Sequence, residues 1–513
     1  MNNNTLISWL NNDDEKFNSL EIDNLLKIDI QKNPSVQNNF IDNHLNNIKK
    51  IIKIFSKKPW ITQTEISKLL KIDREVLINI NSIISNSEIM QNLIVKEGIA
   101  KKYWNTIIPF ASLTQKTLNN EYSFPRRIAL FPGVSCMFYC GFCGRNQAAK
   151  YPLNILDESM QMYKKLFNDS SNNTAFSISG GLEPLTNPKL GEMVNQAYLK
   201  GIRMPIITNG YSLTENYLNK NEGLLNADSI RISLYGVDEK SYEFITRVKK
   251  SFKQVRSNTI NFLNTRNTKN KKLKFGFNFI IIPENMDQLL EIPDLIADIN
   301  SKVINGSGVN FLTLRDDYQS VTSHSEKRDV ERKYRLEKSM NIIEREKLKE
   351  FIYKFEEKRK KLCPDLHVDY GYSLESLFKG HLDTGLIKIN GNQMRKYGFT
   401  QISVAVDLFG DVFLYREAGF LNREGNEKMI IGRISKNMPL EEVINNYLTK
   451  KKPLELESDD SRFMDSFDHV ITSLVNQAEE DKKFKIPFEL GPIKLRKENL
   501  KIELGNNWYS ETT

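Results

Sequence analysis

Histidine and cysteine are scarce in this chain, and long apolar runs are absent. Its 513 residues include five histidines and four cysteines. Four cysteines, three of them within eight residues, argue against a fold held together by disulfides. No apolar run approaches the roughly 18–20 residues of a membrane-spanning helix, and the N-terminus lacks the basic and apolar regions of a signal peptide. We therefore expect a cytoplasmic protein with no membrane partner.

Acidic residues are outnumbered by basic ones. There are 73 Lys and Arg against 64 Asp and Glu, a formal net charge of +9. Such an excess is compatible with nucleic acid or an anionic ligand. Much of it lies in Lys269–Lys274 or among the interleaved charges of Arg328–Lys361, which are typical of solvated surfaces. We expect no nucleic-acid partner, and a basic binding surface stays open as the alternative.

Three regions follow from the patterns of apolar residues. Helical spacing within residues 1–120 predicts a helical N-terminal domain, and Thr62-Gln-Thr-Glu65 predicts a capping box at one helix start. The stretch Thr62–Ile84 also fits a helix-turn-helix, although two packed helices are a common core arrangement. Residues 121–340 form the central region. Residues 341–513 are predicted as an α+β extension with a hairpin made by Ser403–Val406 and Asp411–Tyr415.

In the central region, short apolar runs alternate with amphipathic segments. This alternation predicts parallel strands joined by helices. The predicted strands are Ile128–Phe131, Phe176–Ser179, Met204–Thr208, Ser229–Leu234, Phe275–Ile282 and Val309–Leu314. Six such units indicate an α/β fold built on a partial (β/α)6 barrel. In parallel barrels the chemistry lies at the C-terminal ends of the strands.

Three cysteines follow the first predicted strand directly. Cys136, Cys140 and Cys143 have the spacing C-x3-C-x2-C. Thiolates suit zinc or iron–sulfur clusters. Structural zinc needs four ligands, so a zinc site would have to recruit Cys363 or a distant histidine. A [4Fe–4S] cluster bound by three cysteines instead leaves one iron open to a substrate or cosubstrate. The spacing favours the cluster, with zinc as the alternative.

This spacing after a first barrel strand resembles the signature of the radical S-adenosylmethionine (SAM) superfamily. The resemblance implies one [4Fe–4S] cluster on the three cysteines, SAM chelated to the open iron, and a 5′-deoxyadenosyl radical formed with an electron from an external flavodoxin- or ferredoxin-type reductant. Further motifs of that superfamily follow in order at the ends of predicted strands. The SAM contacts that the resemblance implies are Phe142, Gly180, Gly181, Glu183, Asn209, Ser233 and Asn278.

Two features distinguish this chain within the general pattern. Leu182 separates the glycines from Glu183, so the glycines keep a backbone role near SAM while the carboxylate is displaced by one residue. The C-terminal extension has only Cys363, which is too few ligands for an auxiliary cluster. We interpret Cys363 as a buried small hydrophobe.

Longer stretches, most of them outside the cysteine motif, resemble the radical SAM ammonia-lyases of TDP-linked aminodeoxysugars. They are Tyr103–Thr106, Pro132–Phe138, Ser179–Pro188, Ser233–Gly236, Asp369–Tyr372, Asp411–Phe420 and Phe463–Asp468. The resemblance implies that hydrogen is taken from C3 of the sugar and that ammonia leaves C4, which yields a 3-keto-4,6-dideoxy sugar. A dehydrogenase or epimerase of another nucleotide-linked deoxysugar is the alternative, because both start from the same hydrogen abstraction.

Candidate substrate residues lie in the hairpin and near the strands. Glu417 is predicted to accept the C3 hydroxyl proton, with Tyr415 and Arg416 beside it. Strand alternation would put Tyr415 and Glu417 on one face and Arg416 on the other, and an ion pair at the hairpin end is the structural alternative. The diphosphate needs cationic or backbone N–H partners. Arginines near predicted strands are Arg126, Arg127, Arg145, Arg203, Arg231 and Arg315, which the sequence does not rank.

Overall fold

A computed structural model describes most of the chain. The described residues are 3–12, 19–32, 38–58, 61–140, 152–179, 181–282, 285–316, 342–378, 393–420, 425–449 and 454–483. Four residues singled out by the sequence, Phe142, Cys143, Arg145 and Gly180, lie outside these ranges.

Helices joined by short turns form the N-terminal region. They are α1 (Asn3–Leu10), α2 (Ser19–Ile30), α3 (Asn38–Lys57), α4 (Gln63–Leu70), α5 (Arg74–Asn86), α6 (Glu88–Asn92) and α7 (Lys101–Leu118), with a π-helical turn at Leu93–Glu97. The predicted capping box at α4 is confirmed. Thr62 N donates to Glu65 Oε2 at 2.8 Å, and Glu65 N donates to Thr62 Oγ1 at 3.2 Å.

The N-terminal helices share a hydrophobic core with the C-terminal helix, which we number α17 (Ser466–Lys483). Leu77 and Ile80 of α5 belong to this core together with Val470 and Leu474 of α17. Gln63 N at the start of α4 donates to Gln477 Oε1 at 2.8 Å. The apolar pattern of Thr62–Ile84 is thus accounted for by packing of a helix pair against other helices.

The strands are arranged in two hydrogen-bonded sheets. They are β1 (Arg127–Phe131), β2 (Ala175–Ser177), β3 (Pro205–Thr208), β4 (Ser229–Leu234), β5 (Lys274–Ile281), β6 (Phe311–Asp316), β7 (His367–Tyr370), β8 (Ser403–Asp407), β9 (Asp411–Phe413) and β10 (Ile430–Arg433). The sheet orders are β10-β9-β8-β1-β2 and β3-β4-β5-β6-β7. A parallel bridge between Ile178 and Ile206 joins the two sheets just beyond β2. The strands from β8 through β1 to β7 therefore run parallel, and their C-terminal ends lie at one edge.

Helices alternate with these strands, as the sequence predicts for an α/β fold with a parallel sheet. They are α8 (Leu156–Asp169), α9 (Leu190–Leu199), α10 (Glu215–Lys220), α11 (Glu239–Thr246), α12 (Ser251–Thr268), α13 (Ile292–Asn300), α14 (Ile342–Leu362) and α15 (Tyr372–Phe378), and α16 (Leu440–Thr449) precedes α17. The six strands predicted in residues 121–340 are confirmed, with boundaries that agree within two residues.

Strands β7 and β8 extend the parallel sheet on both sides. The sequence assigns both to a separate C-terminal extension. The structure pairs Leu312 of β6 with Val368 of β7, and it pairs Arg127–Phe131 of β1 with Ser403–Asp407 of β8. Because these partners are far apart in the chain, local patterns carry no information about the pairing.

The two faces of strands β4 to β6 differ sharply in chemistry. One face is apolar and is covered by helices, with the rings of Phe262 in α12 and Phe275 in β5 only 5.4 Å apart. Alternation along each strand places a second set of side chains on the opposite face, which we call the polar face. Its members are Arg231, Ser233, Asn278, Thr313 and Arg315.

The hairpin of the C-terminal region is confirmed, but its end differs from the prediction. Strands β8 and β9 pair antiparallel through Ala405 and Phe413. The strand stops at Phe413, and Arg416–Gly419 form a 3-10 turn. The prediction that strand alternation sets the faces of Tyr415, Arg416 and Glu417 is therefore wrong. Within the described ranges, no helix combines the length and apolarity that a bilayer crossing requires.

Asp407 ends β8 with a buried carboxylate. Its Oδ1 accepts hydrogen bonds from Phe409 N and Asp411 N, both at 2.9 Å, which closes the hairpin turn. Burial, together with the nearby charge of Asp411, raises the pKa of Asp407 from its ordinary value of 3.8 to about 7. The folded protein therefore binds this proton more tightly than the unfolded chain does.

We expect Asp407 to make folding less favourable as the pH rises from about 4 to about 7, because the unfolded chain loses the proton first. Asp407→Asn keeps an oxygen acceptor for both N–H groups and removes the ionisation. Between pH 4 and pH 8, the free energy of unfolding of the variant should fall by roughly 1–4 kcal/mol less than that of the wild type. Urea unfolding between pH 4 and pH 8 measures this difference. Asp157→Asn, at a side chain that is 80% exposed, is the control and should leave the pH dependence unchanged. An Asp407→Asn variant with the wild-type dependence would contradict the assignment.

Candidate active site

The segment that follows β1 carries the cysteines, and we call Pro132–Cys140 the cysteine loop. Cys136 is half-buried and Cys140 is buried, whereas Cys143 lies outside the described residues. Tyr139 N donates to Thr246 O at 2.9 Å, which ties the loop to the end of α11. The loop leaves the C-terminal end of β1, as the sequence predicts for the chemical edge of a parallel sheet.

The sulfur of Cys136 accepts two hydrogen bonds. Phe138 N lies 3.4 Å from Cys136 Sγ, and Asn209 Nδ2 lies 3.7 Å from it. Asn209 Nδ2 also lies 3.1 Å from Met137 Sδ. N–H donors stabilise negative charge on sulfur, which favours the thiolate that a metal ligand requires. Asn209, predicted as a SAM contact, is thus also a neighbour of the first cysteine.

Glu183 joins the cysteine loop to the end of β3. Its backbone N–H donates to Ser135 O at 2.9 Å. Its buried carboxylate accepts hydrogen bonds from Asn209 N at 2.8 Å, from Leu185 N at 3.1 Å and from the hydroxyl of Thr208. The carboxylate therefore holds the turn that presents Asn209 to Cys136. The sequence identifies Glu183 but not its partner Thr208.

Gly181 needs the conformation that glycine allows. Its φ is +70°, in the left-handed region, and a Cβ there would lie 2.9 Å from Phe131 Cβ. The backbone next to the end of β1 can follow this path only without a side chain. Its predicted contact with SAM stays a prediction.

Aromatic side chains surround the cysteine loop. The ring of Phe138 lies 5.4 Å from that of Tyr211, 5.9 Å from that of Tyr235 and 6.3 Å from that of Tyr242, all edge-on. Burial raises the pKa of Tyr242, and the nearby Cys140 raises it further. The Tyr242 hydroxyl donates to Ser233 O at 3.2 Å, so this cluster also contacts the end of β4. The sequence does not reveal this aromatic cluster.

A row of polar residues crosses the sheet at the predicted SAM contacts. Ser233, Asn278 and Thr313 are direct neighbours on β4, β5 and β6, followed by Asp369 on β7. Asn278 Oδ1 and Thr313 Oγ1 are buried and have no hydrogen-bond partner among the described residues. Buried polar atoms are normally paired, so this row is suited to a bound ligand. Thr313 was missed, although its alternation with Arg315 on β6 places it on the polar face.

The predicted catalytic trio lies in and beside the 3-10 turn at Arg416–Gly419. Arg416 Nη1 is 3.1 Å from Asp465 Oδ2, and Arg127 Nη2 of β1 is 3.2 Å from the same oxygen. Burial alone would raise the pKa of Asp465, but the two guanidinium groups lower it overall. For Arg416 this network favours the structural ion pair that the sequence left open.

Tyr415 and Glu417 are both buried. The Tyr415 hydroxyl has no hydrogen-bond partner among the described residues, and burial, with the charge of Asp468, raises its pKa. Two residues after Glu417, a Cβ on Gly419 would lie 2.3 Å from the ring of Phe131, and the Phe420 ring stacks on that ring at 5.6 Å. The turn therefore contacts the last residue of β1, just before the cysteine loop. Catalytic roles for Tyr415 and Glu417 stay predictions.

The donor set fits an iron–sulfur cluster better than zinc. Cys363 is buried in the core, where its Sγ donates to Pro293 O at 3.4 Å, as expected for a small hydrophobe. Among the described residues, no three His, Cys, Asp or Glu side chains come together as metal ligands. Cys363 therefore does not join Cys136 and Cys140 as a ligand of a zinc ion. The hydrogen bonds to Cys136 and the aromatic surroundings suit a thiolate-bound cluster.

Comparison with known proteins defines the class of this protein. Residues 130–296, from the end of β1 to α13, match the radical SAM superfamily. A relative that is 36% identical over 392 residues supports this match, and the chain therefore belongs to the radical SAM superfamily. Membership implies a [4Fe–4S] cluster, SAM and a source of electrons, as expected from the resemblance of the sequence motifs.

The relative is the dTDP-4-amino-4,6-dideoxy-D-glucose ammonia-lyase of Streptomyces venezuelae. The chain is 36% identical to it over 392 residues, which covers 75% of this chain and 78% of that protein. Among solved structures, SuiB of Streptococcus suis bound to its precursor peptide SuiA is 15% identical, with a TM-score of 0.43, and covers 80% of this chain and 81% of its own. SuiB bound to S-adenosylmethionine is 16% identical, with a TM-score of 0.42 and coverages of 76% and 78%.

Cys136→Ala should abolish cluster binding, because it removes one of only three predicted thiolate ligands. Iron and acid-labile sulfide analysis after anaerobic reconstitution, with the visible absorbance spectrum, measures the loss. Cys363→Ala is the matched control and should keep the wild-type iron content, since the Cys363 thiol is buried in the core and donates to Pro293 O. Loss of the cluster in Cys363→Ala would overturn the ligand assignment.

Glu183→Gln should destabilise the turn at Thr208 and Asn209, because the amide replaces a charged acceptor of three hydrogen bonds. We expect the free energy of unfolding to fall by about 2 kcal/mol. Iron content should fall as well, because Asn209 loses its support beside Cys136. Urea unfolding and iron analysis test both effects. Glu192→Gln, at a side chain exposed on α9, should change neither, and wild-type behaviour of Glu183→Gln would argue against this role.

Proposed function

We propose that this protein is a radical SAM lyase that eliminates ammonia from TDP-4-amino-4,6-dideoxy-D-glucose and yields TDP-3-keto-4,6-dideoxy-D-glucose. The observation that carries the proposal is the 36% identity over 392 residues to an ammonia-lyase of that name. This similarity extends well beyond residues 130–296, the part common to the superfamily. A shared cofactor site alone would not require likeness in the remaining residues.

The proposed reaction is a redox-neutral elimination. C3 loses its hydrogen and its hydroxyl proton and becomes a ketone. The C4–N bond breaks, and ammonia departs with the hydroxyl proton. C4 then gains an electron from the external reductant and a proton from solvent, which balances the hydrogen atom lost from C3. When bound, the cluster and SAM supply the 5′-deoxyadenosyl radical that takes the C3 hydrogen. The reaction needs an external flavodoxin- or ferredoxin-type reductant and no second cluster.

The residues proposed to hold the cofactors lie at the C-terminal ends of the strands. Cys136, Cys140 and Cys143 would bind the cluster, with Phe138 N and Asn209 Nδ2 favouring the thiolate of Cys136. The residues proposed to contact SAM are Phe142, Gly180, Gly181, Glu183, Asn209, Ser233 and Asn278. The Oδ1 of Asn278 is buried and has no partner in the described ranges, which supports its inclusion because it offers an acceptor to a ligand hydroxyl or amine.

On the substrate side, we propose that Glu417 accepts the C3 hydroxyl proton. Its burial and its place in the turn that contacts Phe131 support this role. Removal of that proton would increase the electron density at C3 and assist departure of the amine. Tyr415 is a candidate hydrogen-bond donor beside it. Arg416 would orient the turn through its ion pair with Asp465.

The finer architecture is also a proposal. We infer that β1 to β6 form a partial (β/α)6 barrel, preceded by a helical domain at residues 1–120 and followed from residue 341 by an α+β extension without an auxiliary cluster. The parallel order of the strands supports the barrel. We expect the protein to act in the cytoplasm.

An anaerobic assay of the reduced, reconstituted protein with SAM and TDP-4-amino-4,6-dideoxy-D-glucose tests the function. We expect ammonia and the 3-keto product in equal amounts. The 4-hydroxy analogue of the substrate distinguishes the alternatives. A ketone formed with one SAM consumed per turnover, and no ammonia from the aminosugar, would identify a dehydrogenase, and an inverted C3 centre would identify an epimerase.

Glu417→Gln should lower ammonia release at least tenfold more than it lowers formation of 5′-deoxyadenosine, because it removes the proton acceptor and spares cleavage of SAM. Chromatography of 5′-deoxyadenosine and an ammonia assay on the same samples measure both rates. Glu427→Gln, in the exposed part of the next 3-10 turn, is the control and should leave both rates unchanged. Equal losses in Glu417→Gln would indicate a structural role.

A further inference from the structure

Arg231 is a buried arginine without an anionic partner among the described residues. It lies in β4 on the polar face, and the residue is only 4% exposed. Within the described ranges, its buried Nη1 has no hydrogen-bond partner and its guanidinium group forms no salt bridge. Its guanidinium group packs over the ring of Phe311 on β6, where Cζ lies 5.3 Å from the ring centroid.

Arg127 offers a comparison, because it is a buried arginine that has an anionic partner. Arg127, in β1, is about as buried as Arg231, and its Nη2 lies 3.2 Å from Asp465 Oδ2. Charges that are removed from water without a partner are costly, so buried arginines are normally paired. Arg231 departs from this rule. Burial lowers its pKa, and the charge of Arg315 on the same face lowers it further.

The neighbouring strands hold the guanidinium group in place. Gly276 is the direct neighbour of Arg231 on β5, and Phe311 is the neighbour of Gly276 on β6. A Cβ on Gly276 would lie 2.5 Å from Phe311 Cδ2, so glycine gives the ring the space it occupies. A guanidinium group packed on an aromatic face keeps its in-plane N–H donors available to a planar or tetrahedral oxyanion.

The surroundings of Arg231 are those of a ligand site. Asn278 Oδ1 and Thr313 Oγ1, on the same face, are also buried without partners among the described residues. Arg231 precedes Ser233 by two residues and therefore lies about 7 Å farther from the C-terminal strand ends. Two arginines and two unpaired polar atoms on one face favour an anionic ligand with polar substituents.

We propose that Arg231 binds the diphosphate of the nucleotide-sugar substrate. The inference rests on the proposed function and assigns its substrate contact. An oxyanion could come from the diphosphate or from the carboxylate of SAM. The diphosphate is favoured because Ser233 and Asn278, the predicted SAM contacts, lie nearer the strand ends.

The other candidate arginines fit this role less well. Arg127 is paired with Asp465, and Arg203 Nε lies 2.5 Å from Asp228 Oδ1. Arg126 is half-buried and precedes β1, at the N-terminal edge of the sheet. Arg315 is only half-buried and already interacts with other groups of the protein, so it is less available to a ligand.

The test compares wild type, Arg231→Met and Arg231→Lys as anaerobically reconstituted full-length proteins. Isothermal titration calorimetry measures the affinities for thymidine 5′-diphosphate, for thymidine and for SAM. We expect Arg231→Met to weaken binding of the diphosphate at least tenfold and to change binding of thymidine and SAM less than twofold. Arg231→Lys should lose less, because it keeps the charge but not the two-pronged geometry.

Thermal unfolding without ligand separates binding from structure. Arg231→Met should melt at the wild-type temperature or above it, because it removes a buried charge that has no anionic partner in the described part of the chain. The matched variant Arg127→Met should melt lower, because it leaves Asp465 buried with one guanidinium group instead of two. Thymidine 5′-diphosphate should raise the melting temperature of wild type more than that of Arg231→Met.

Each other outcome overturns the inference in a distinguishable way. Wild-type affinity of Arg231→Met for thymidine 5′-diphosphate rejects the inference and leaves the function standing. A loss confined to SAM assigns the oxyanion to the SAM carboxylate and rejects the diphosphate. A loss shared equally by thymidine, or a lower melting temperature of Arg231→Met, indicates a structural role. Failure of the wild type to bind the diphosphate rejects the proposed function, and the inference with it.

Discussion

The buried carboxylate of Glu183 connects two segments that must stay together for the site to exist. It accepts hydrogen bonds from Thr208 and Asn209 at the end of β3, while its own backbone is bonded to Ser135 in the cysteine loop. A buried charge needs several donors, so the carboxylate is stable only where these groups converge. The constraint orients Asn209 toward Cys136 and fixes the distance between the first and third strands.

The polar face of β4 to β6 contrasts with the carboxylate of Glu183, which has several hydrogen-bond donors. Its buried polar atoms on Asn278, Thr313 and Arg231 lack partners among the described residues, whereas the helix-covered face is closely packed with aromatic and aliphatic side chains. An interior of this kind is costly for the protein without ligand, and binding can recover the cost. We therefore infer that the helix-covered face and the ion pairs of Asp465 stabilise the fold, while the polar face is suited to binding a ligand.

The extent to which the site was predictable differs between its parts. Parallel strands were found from the apolar runs because each run and its flanking helix are local signals. The end of the hairpin was predicted wrongly: Leu414 N bonds to Met429 O, and the chain then turns at Arg416. Nothing in Tyr415-Arg-Glu-Ala-Gly419 by itself distinguishes a strand from such a turn. Thr208 and Phe138 were missed because their roles depend on partners far away in the chain.

The amino-acid sequence by itself predicted the class of chemistry, because three cysteines at fixed short spacing and the motifs at strand ends are local patterns that resemble those of the radical SAM superfamily. The tertiary structure alone decided which charged residues are structural and which are available. The sequence alone does not distinguish the roles of Arg127, Arg231 and Arg416. In the structure, Arg127 and Arg416 form ion pairs with Asp465, and Arg231 does not. The physical reason is that the energy of a buried charge depends on its partners, and partners are set by folding.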